Sequence, residues 1–184
     1  MPSSKQGGGS RERRGQRMRE HERDEFTQRV LDIARVTRVM AGGKRMRFRA
    51  CIVIGDGKGK VGYGLAKGAD VSLAISKAIA KAKKQMLQVP IVDGTIPHEV
   101  WSKFHAAKVM MKPAPQGTGV IAGATVRAVV ELAGITNIVS KLMGSKNVVN
   151  NVKATFNGLA SLRPAPEKAA RHQQAKPEVV KGAV

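Results

Sequence analysis

Hydrophobic and polar positions divide the central part of the chain into two stretches of different rhythm. Residues 28–39 are rich in Val and Ile, and Gly42-Gly43 follows as a turn. Arg45, Arg47 and Arg49 then alternate with Met46, Phe48 and Ala50, the period of two that marks a strand with one wet face. Cys51-Ile52-Val53-Ile54 continues it as a more buried run. Gly55-Asp56-Gly57-Lys58-Gly59 reads as a hairpin turn, because Asp-Gly tolerates the positive φ that such turns need. Lys60–Lys67 returns as a third strand. Asp70 stands as an N-cap, after which Val71, Ile75, Ile79, Ala82 and Met86 trace one helical face. Residues 25–90 therefore read as a first module of three strands and a helix.

The second stretch, residues 91–163, is punctuated by proline: Pro90 at its border, then Pro97, Pro113 and Pro115. Val109-Met110-Met111 reads as a short strand. After Gly117-Thr118-Gly119, Val120–Ala133 reads as a helix closed by Gly134 as a C-cap. Ile135–Leu142 reads as a strand and Asn147–Leu162 as a last helix, ending before Pro164. Strands alternating with helices imply an α+β or α/β layer. No internal repeat is visible. Residues 1–24 are Gly/Ser-rich and then dense in mixed charge, with almost nothing to bury, so they read as a flexible arm. Such an arm is either a solvated tail or a segment that orders on phosphate. Residues 164–184 open Pro164-Ala165-Pro166, have no sustained period and read as a second loose tail.

Charge changes this picture from a generic fold to a polyanion's partner. The 184 residues carry 33 Lys and Arg against 13 Asp and Glu, a formal net charge of +20. A field of that sign repels itself unless a polyanion neutralises it, and nucleic acid is the commonest such partner. Between residues 33 and 92 only Asp56 and Asp70 oppose Arg35, Arg38, Lys44, Arg45, Arg47, Arg49, Lys58, Lys60, Lys67, Lys77, Lys81, Lys83 and Lys84. Lys77, Lys81 and Lys84 line one helix face. Alone they would read as a solvated face, but sharing a module with an arginine-striped strand favours RNA. Aromatics make up only 3% of the chain, which argues against reading RNA mainly by base stacking.

Other chemistry finds little support. Gly57-Lys58-Gly59-Lys60-Val61-Gly62 has the spacing of a dinucleotide fingerprint, but that motif needs a helix after its glycines and these lead into a strand. The same glycines would let backbone approach a phosphodiester closely, or they serve turn geometry alone. Gly117-Thr118-Gly119 could offer N–H groups to an anion, though a tight turn is the simpler reading. His21, His98, His105 and His172 are scattered without metal spacing, and Glu99 has no acidic partner. The single cysteine, Cys51, excludes an intrachain disulfide and reads as a buried, inert thiol. No cofactor, metal, small-molecule substrate or catalytic residue is expected. No run of about 18 apolar residues offers a membrane span. The N-terminus lacks a secretory apolar core, and Glu12, Glu20, Glu22 and Asp24 are unlike a transit peptide, so a cytoplasmic location is expected.

Several motifs carry a family resemblance. Arg35-Val36-Thr37-Arg38-Val39-Met40-Ala41-Gly42-Gly43-Lys44, Val53-Ile54-Gly55-Asp56-Gly57 and Val61-Gly62-Tyr63-Gly64 resemble the ribosomal protein S-five family. So do Gly94-Thr95-Ile96-Pro97-His98-Glu99-Val100, Lys112-Pro113-Ala114, Gly117-Thr118-Gly119-Val120-Ile121-Ala122-Gly123 and Gly144-Ser145. The resemblance covers about residues 26–160. It implies a double-stranded-RNA-binding-like first module, a three-stranded antiparallel sheet plus helix lacking the usual leading helix. It implies a second module with a left-handed β-α-β crossover. It also implies a structural role in the small ribosomal subunit: binding its rRNA, contacting the S-four and S-eight proteins, lining the mRNA entry path and supporting decoding accuracy. The expected rRNA-binding residues are Arg35, Arg38, Gly42, Gly43, Lys44, Arg45, Arg47, Arg49, Lys58, Lys60, Lys67, Lys77, Lys81 and Lys84. The Thr37–Lys44 hairpin resembles the loop where family changes confer spectinomycin resistance. Gly119 and Arg127 resemble positions facing the S-four neighbour. The sequence departs from the family at Ala41 (usually Lys), Val148 (usually Pro), Lys153 (usually Arg) and the run Leu65-Ala66-Lys67-Gly68. A free double-stranded-RNA-binding regulator or RNA chaperone is the alternative, and it would need an apolar leading helix that residues 10–24 do not supply.

Overall fold

The computed structural model describes residues 26–163; the expected N-terminal arm and C-terminal tail lie outside them. Strands β1 (Thr27–Met40), β2 (Gly43–Gly55), β3 (Lys60–Gly68) and β4 (Met86–Gln88) form one antiparallel sheet in the order β1-β2-β3-β4. Helix α1 (Val71–Lys84) lies on one face of it. Strands β5 (Val100–Phe104), β6 (Ala107–Pro113), β7 (Val120–Ile121) and β8 (Ile138–Gly144) form a second sheet in the order β5-β6-β8-β7. Helices α2 (Ala124–Ala133) and α3 (Val148–Ala160) complete the fold. The class is α+β, and β7 and β8 pair in parallel across α2.

The first helix packs with its alanines deepest, and Ile75, Ile79 and Met86 of the expected face lie against the same cluster. Ala74, Ala78 and Ala82 are buried, while Ile75 and Ile79 are half-buried and Met86 lies beyond the helix in β4. The cause lies in β3. Gly62, Gly64 and Gly68 point at the helix, and a Cβ on Gly64 would overlap the Ala78 carbonyl. Glycine on the strand and alanine on the helix let the two backbones approach, so small residues take the contact and the isoleucines fill its flank. Asp70 sits at the N-cap with extended backbone, but its side chain makes no cap hydrogen bond.

In the second half the boundaries shift. The expected helix from Val120 begins only at Ala124, because Val120 and Ile121 pair with Ile138 and Val139 as β7. Gly134 does close α2 in the left-handed conformation, φ 88°. The strand expected from Ile135 starts at Ile138, since Thr136 and Asn137 hold the loops before it. Asn147 caps α3, its side chain accepting from the Val149 and Asn150 N–H groups. The short β4, β5 and β7 carried no periodic signal long enough to recognise.

The two halves share a core. Along β2, Ala50, Ile52 and Ile54 pack under α1, whereas Cys51 and Val53 face the other way, into a cluster with Val126, Val129, Val130 and Leu159. Helices α2 and α3 thus lie between the sheets, with the Tyr63 and Phe156 rings 4.6 Å apart across the junction. Backbone joins them too: Gly57 N–H donates to Leu132 O at 3.0 Å and Gly59 N–H to Ala133 O at 2.8 Å. The hairpin of the first half thereby caps the C-terminus of α2, whose last carbonyls have no partner within the helix.

Candidate nucleic-acid interface

Strand β3 pairs only with Phe48–Gly55 of β2, so β1 and β2 continue beyond it as a two-stranded arm. In that arm Val36 faces Arg47, Arg38 faces Arg45 and Met40 faces Gly43, with Ala41 and Gly42 as the two-residue turn. Residues 37–47 are all exposed. Gly43 has φ 134°, and among the described residues nothing crowds the position a Cβ would take there. Arg38, Arg45 and Arg47 share one face with Val36 and Met40, and with Lys67 they line a shallow groove of about 240 Å³. Arg35 and Lys44 lie on the opposite face of the ribbon, by the alternation of strand side chains.

The fourteen expected contact residues are thereby sorted by place. The arm gathers Arg38, Gly42, Gly43, Lys44, Arg45 and Arg47, with Arg35 and Lys67 at its base. Lys77, Lys81 and Lys84 are exposed on α1. Lys58 and Lys60 are exposed at the other end of the first sheet, where β2 turns into β3. Arg49 stands apart: half-buried, it donates to the Asp32 carboxylate at 3.1 Å, and its buried Nε has no partner among the described residues. Asp32 is the residue that sequence reasoning missed. An acid in a Val/Ile strand, set one strand away from the arginine stripe, was the signal that could have found it.

The glycine loop at residues 55–59 does not offer its amides outward. Besides the Gly57 and Gly59 bonds to α2, the Lys58 and Lys60 N–H groups donate to Asp56 Oδ1 at 2.8 and 2.9 Å, and Asp56 N–H donates to Lys60 O. Burial alone would raise the Asp56 carboxyl, but those two amides and the Lys60 charge outweigh it and hold Asp56 below its ordinary value. Gly117-Thr118-Gly119 is likewise a closed turn. Gly117 and Gly119 N–H both donate to Asn137 Oδ1 at 3.1 Å, and Thr118 N–H donates to Pro115 O. Asn137 thus fixes Gly119, which has φ 73°, ahead of the exposed Arg127 in the first turn of α2. Cys51 is buried, and burial first, then the Asp32 charge, pushes its thiol up to about 11. Among the described residues no His, Cys, Asp or Glu group is clustered for a metal, and no helix is long and apolar enough to cross a membrane.

Fold and site together define a class: an α+β protein whose chemistry is presented positive charge on a rigid scaffold rather than a reacting constellation. Residues 26–90 match the family described as Ribosomal protein S5, N-terminal domain, and residues 102–172 match Ribosomal protein S5, C-terminal domain. The chain is also 50% identical over 154 residues to the small ribosomal subunit protein uS5 of Thermotoga neapolitana, covering 84% of this chain and 86% of that protein. The chain belongs to the ribosomal protein S5 family, whose members are structural components and not enzymes.

Proposed function

We propose that this chain is a cytoplasmic structural constituent of the small ribosomal subunit that grips its rRNA with the β1–β2 arm. The observation that carries this reading is the arm itself: a two-stranded ribbon standing clear of the core, with Arg38, Arg45 and Arg47 on one face and Lys44 and Arg35 on the other. Phosphate contacts from such a ribbon fix position and orientation, and they make affinity fall with salt. Lys77, Lys81 and Lys84 on α1, and Lys58 and Lys60 at the far end of the sheet, extend the charged surface along the same half. Arg49 acts within the fold, holding Asp32.

The second half contributes a protein-facing surface. In this reading Gly119, held by Asn137, and Arg127 in the first turn of α2 meet the S-four neighbour, with S-eight the other protein contact. This arrangement supports decoding accuracy and the mRNA entry path by positioning, with no bond made or broken. The test is sedimentation of lysate at moderate and high salt: co-migration with small subunits is expected, and the chain confined to slow soluble fractions overturns the reading. In purified form, Arg45→Ala and Arg47→Ala should each lower the slope of log affinity against log salt by about one unit. An unchanged slope removes the arm from the RNA interface.

A further inference from the structure

The outer face of the second sheet carries a pattern the arm does not use. Along its strands, Val100, Val109 and Met111 turn inward to the helices, so their alternating neighbours turn outward. The register sets these in rows. Trp101 faces Met110, which faces Lys141; Lys103 faces Lys108, which faces Met143. All three lysines are exposed, and none makes an ion pair among the described residues. Like charges directly opposite on antiparallel strands are destabilising, so Lys103 and Lys108 call for an anion from outside. The carboxylate at the rim, Glu99, is already held: it lies 3.3 Å from Lys112 Nζ and accepts the Trp101 indole N–H at 2.7 Å. Trp101 is the single Trp of the chain, and it is 59% exposed. Glu99 fixes its edge while the ring stays in water.

We propose that this face binds a single-stranded RNA segment, one unpaired base stacking on Trp101 while adjacent phosphates lie on Lys103, Lys108 and Lys141. Aromatic rings on an open sheet with lysines around them suit a splayed base and its backbone. A protein partner fits less well, because lysine is depleted from protein interfaces and three of them would need matching acids. The site is separate from the arm and does not depend on it.

The chain reports on this site through its own Trp emission. In a titration of the full chain with short oligoadenylate, the emission is quenched to saturation, in step with the anisotropy of labelled oligomer. Trp101→Ala weakens that binding about tenfold, from the usual stacking contribution, while Trp101→Phe retains most of it. Lys103→Ala combined with Lys108→Ala lowers the salt slope by about 1.4, the value for two single-strand phosphate contacts. Arg45→Ala with Arg47→Ala leaves the quench intact, so failure of this site and failure of the arm are distinguishable. Emission that stays unquenched, whether or not the oligomer binds elsewhere, overturns the proposal. So does equal quenching by duplex RNA, or a response to polyglutamate alone, which would give the face to a protein neighbour.

Discussion

Replacing Gly134 by Ala tests how tightly the two halves are joined. Gly134 ends α2 at φ 88°, with its N–H on Glu131 O, and a Cβ there would overlap the Gly57 carbonyl across the junction. Holding Ala in a left-handed conformation costs about 1–2 kcal/mol. Relieving the overlap means moving the 56–59 loop, which carries the Gly57 N–H···Leu132 O and Gly59 N–H···Ala133 O bonds. Each of those is worth about 0.5–1.5 kcal/mol net. The sum is roughly 2–5 kcal/mol, or a fall in Tm of about 4–20 °C for a chain of this size. Gly117 is the control: its φ is 91°, yet among the described residues nothing crowds the place a Cβ would take, so Gly117→Ala incurs the backbone cost alone. Calorimetric unfolding of both variants measures the difference. Equal Tm losses would refute the idea that the hairpin and the helix end are mechanically coupled.

Three further outcomes follow from single residues. Arg49→Ala leaves Asp32 half-buried without its partner, so it should destabilise the fold by about 1–2 kcal/mol and leave the RNA salt slope unchanged; a slope reduced as in Arg45→Ala would place Arg49 on RNA after all. Asp56 has a folded pKa below its ordinary 3.8, so its contribution is complete above that value and is lost as pH falls through the lower folded value. Asp56→Asn should therefore flatten the acid limb of a stability-versus-pH curve, and superimposable limbs would count against the loop bonding. Cys51 is raised from 9.0 to about 11, so its contribution is intact below pH 9 and lost as pH rises through 11. Its reaction with a thiol reagent at neutral pH should track unfolding, and rapid labelling of the folded chain would contradict its burial.

The arm was legible because it obeys a simple rule: Arg45, Arg47 and Arg49 alternate with Met46, Phe48 and Ala50; the turn lies one residue earlier than the expected Gly42-Gly43, at Ala41-Gly42, because Gly43 pairs with Met40. Alternation could not show that Arg49 is half-buried against an acid, since that depends on Asp32 reaching it from the neighbouring strand. The α1 face was legible in outline but not in depth, for a similar reason. Helical periodicity picks out the largest apolar residues, but Gly62, Gly64 and Gly68 lie on another element and invite the alanines instead. Val120 and Ile121 read as helix because a two-residue strand has no period at all; only pairing with Ile138 and Val139 defines it. The loop glycines at 57 and 59 were correctly seen as a turn. That their amides serve α2 could not be inferred, because the acceptors lie more than seventy residues away.

The double burial of β2 has a consequence for the growing chain. Synthesis completes the first sheet and α1 well before Val126, Val129 and Leu159 exist to cover Cys51 and Val53. At typical elongation rates the interval is on the order of ten seconds. For that time the nascent protein displays a bare, β-rich apolar face beside a strongly cationic ribbon. Its most hazardous moment is thus partway through translation, when premature contact with another chain or with nearby RNA competes with the arrival of its own second half.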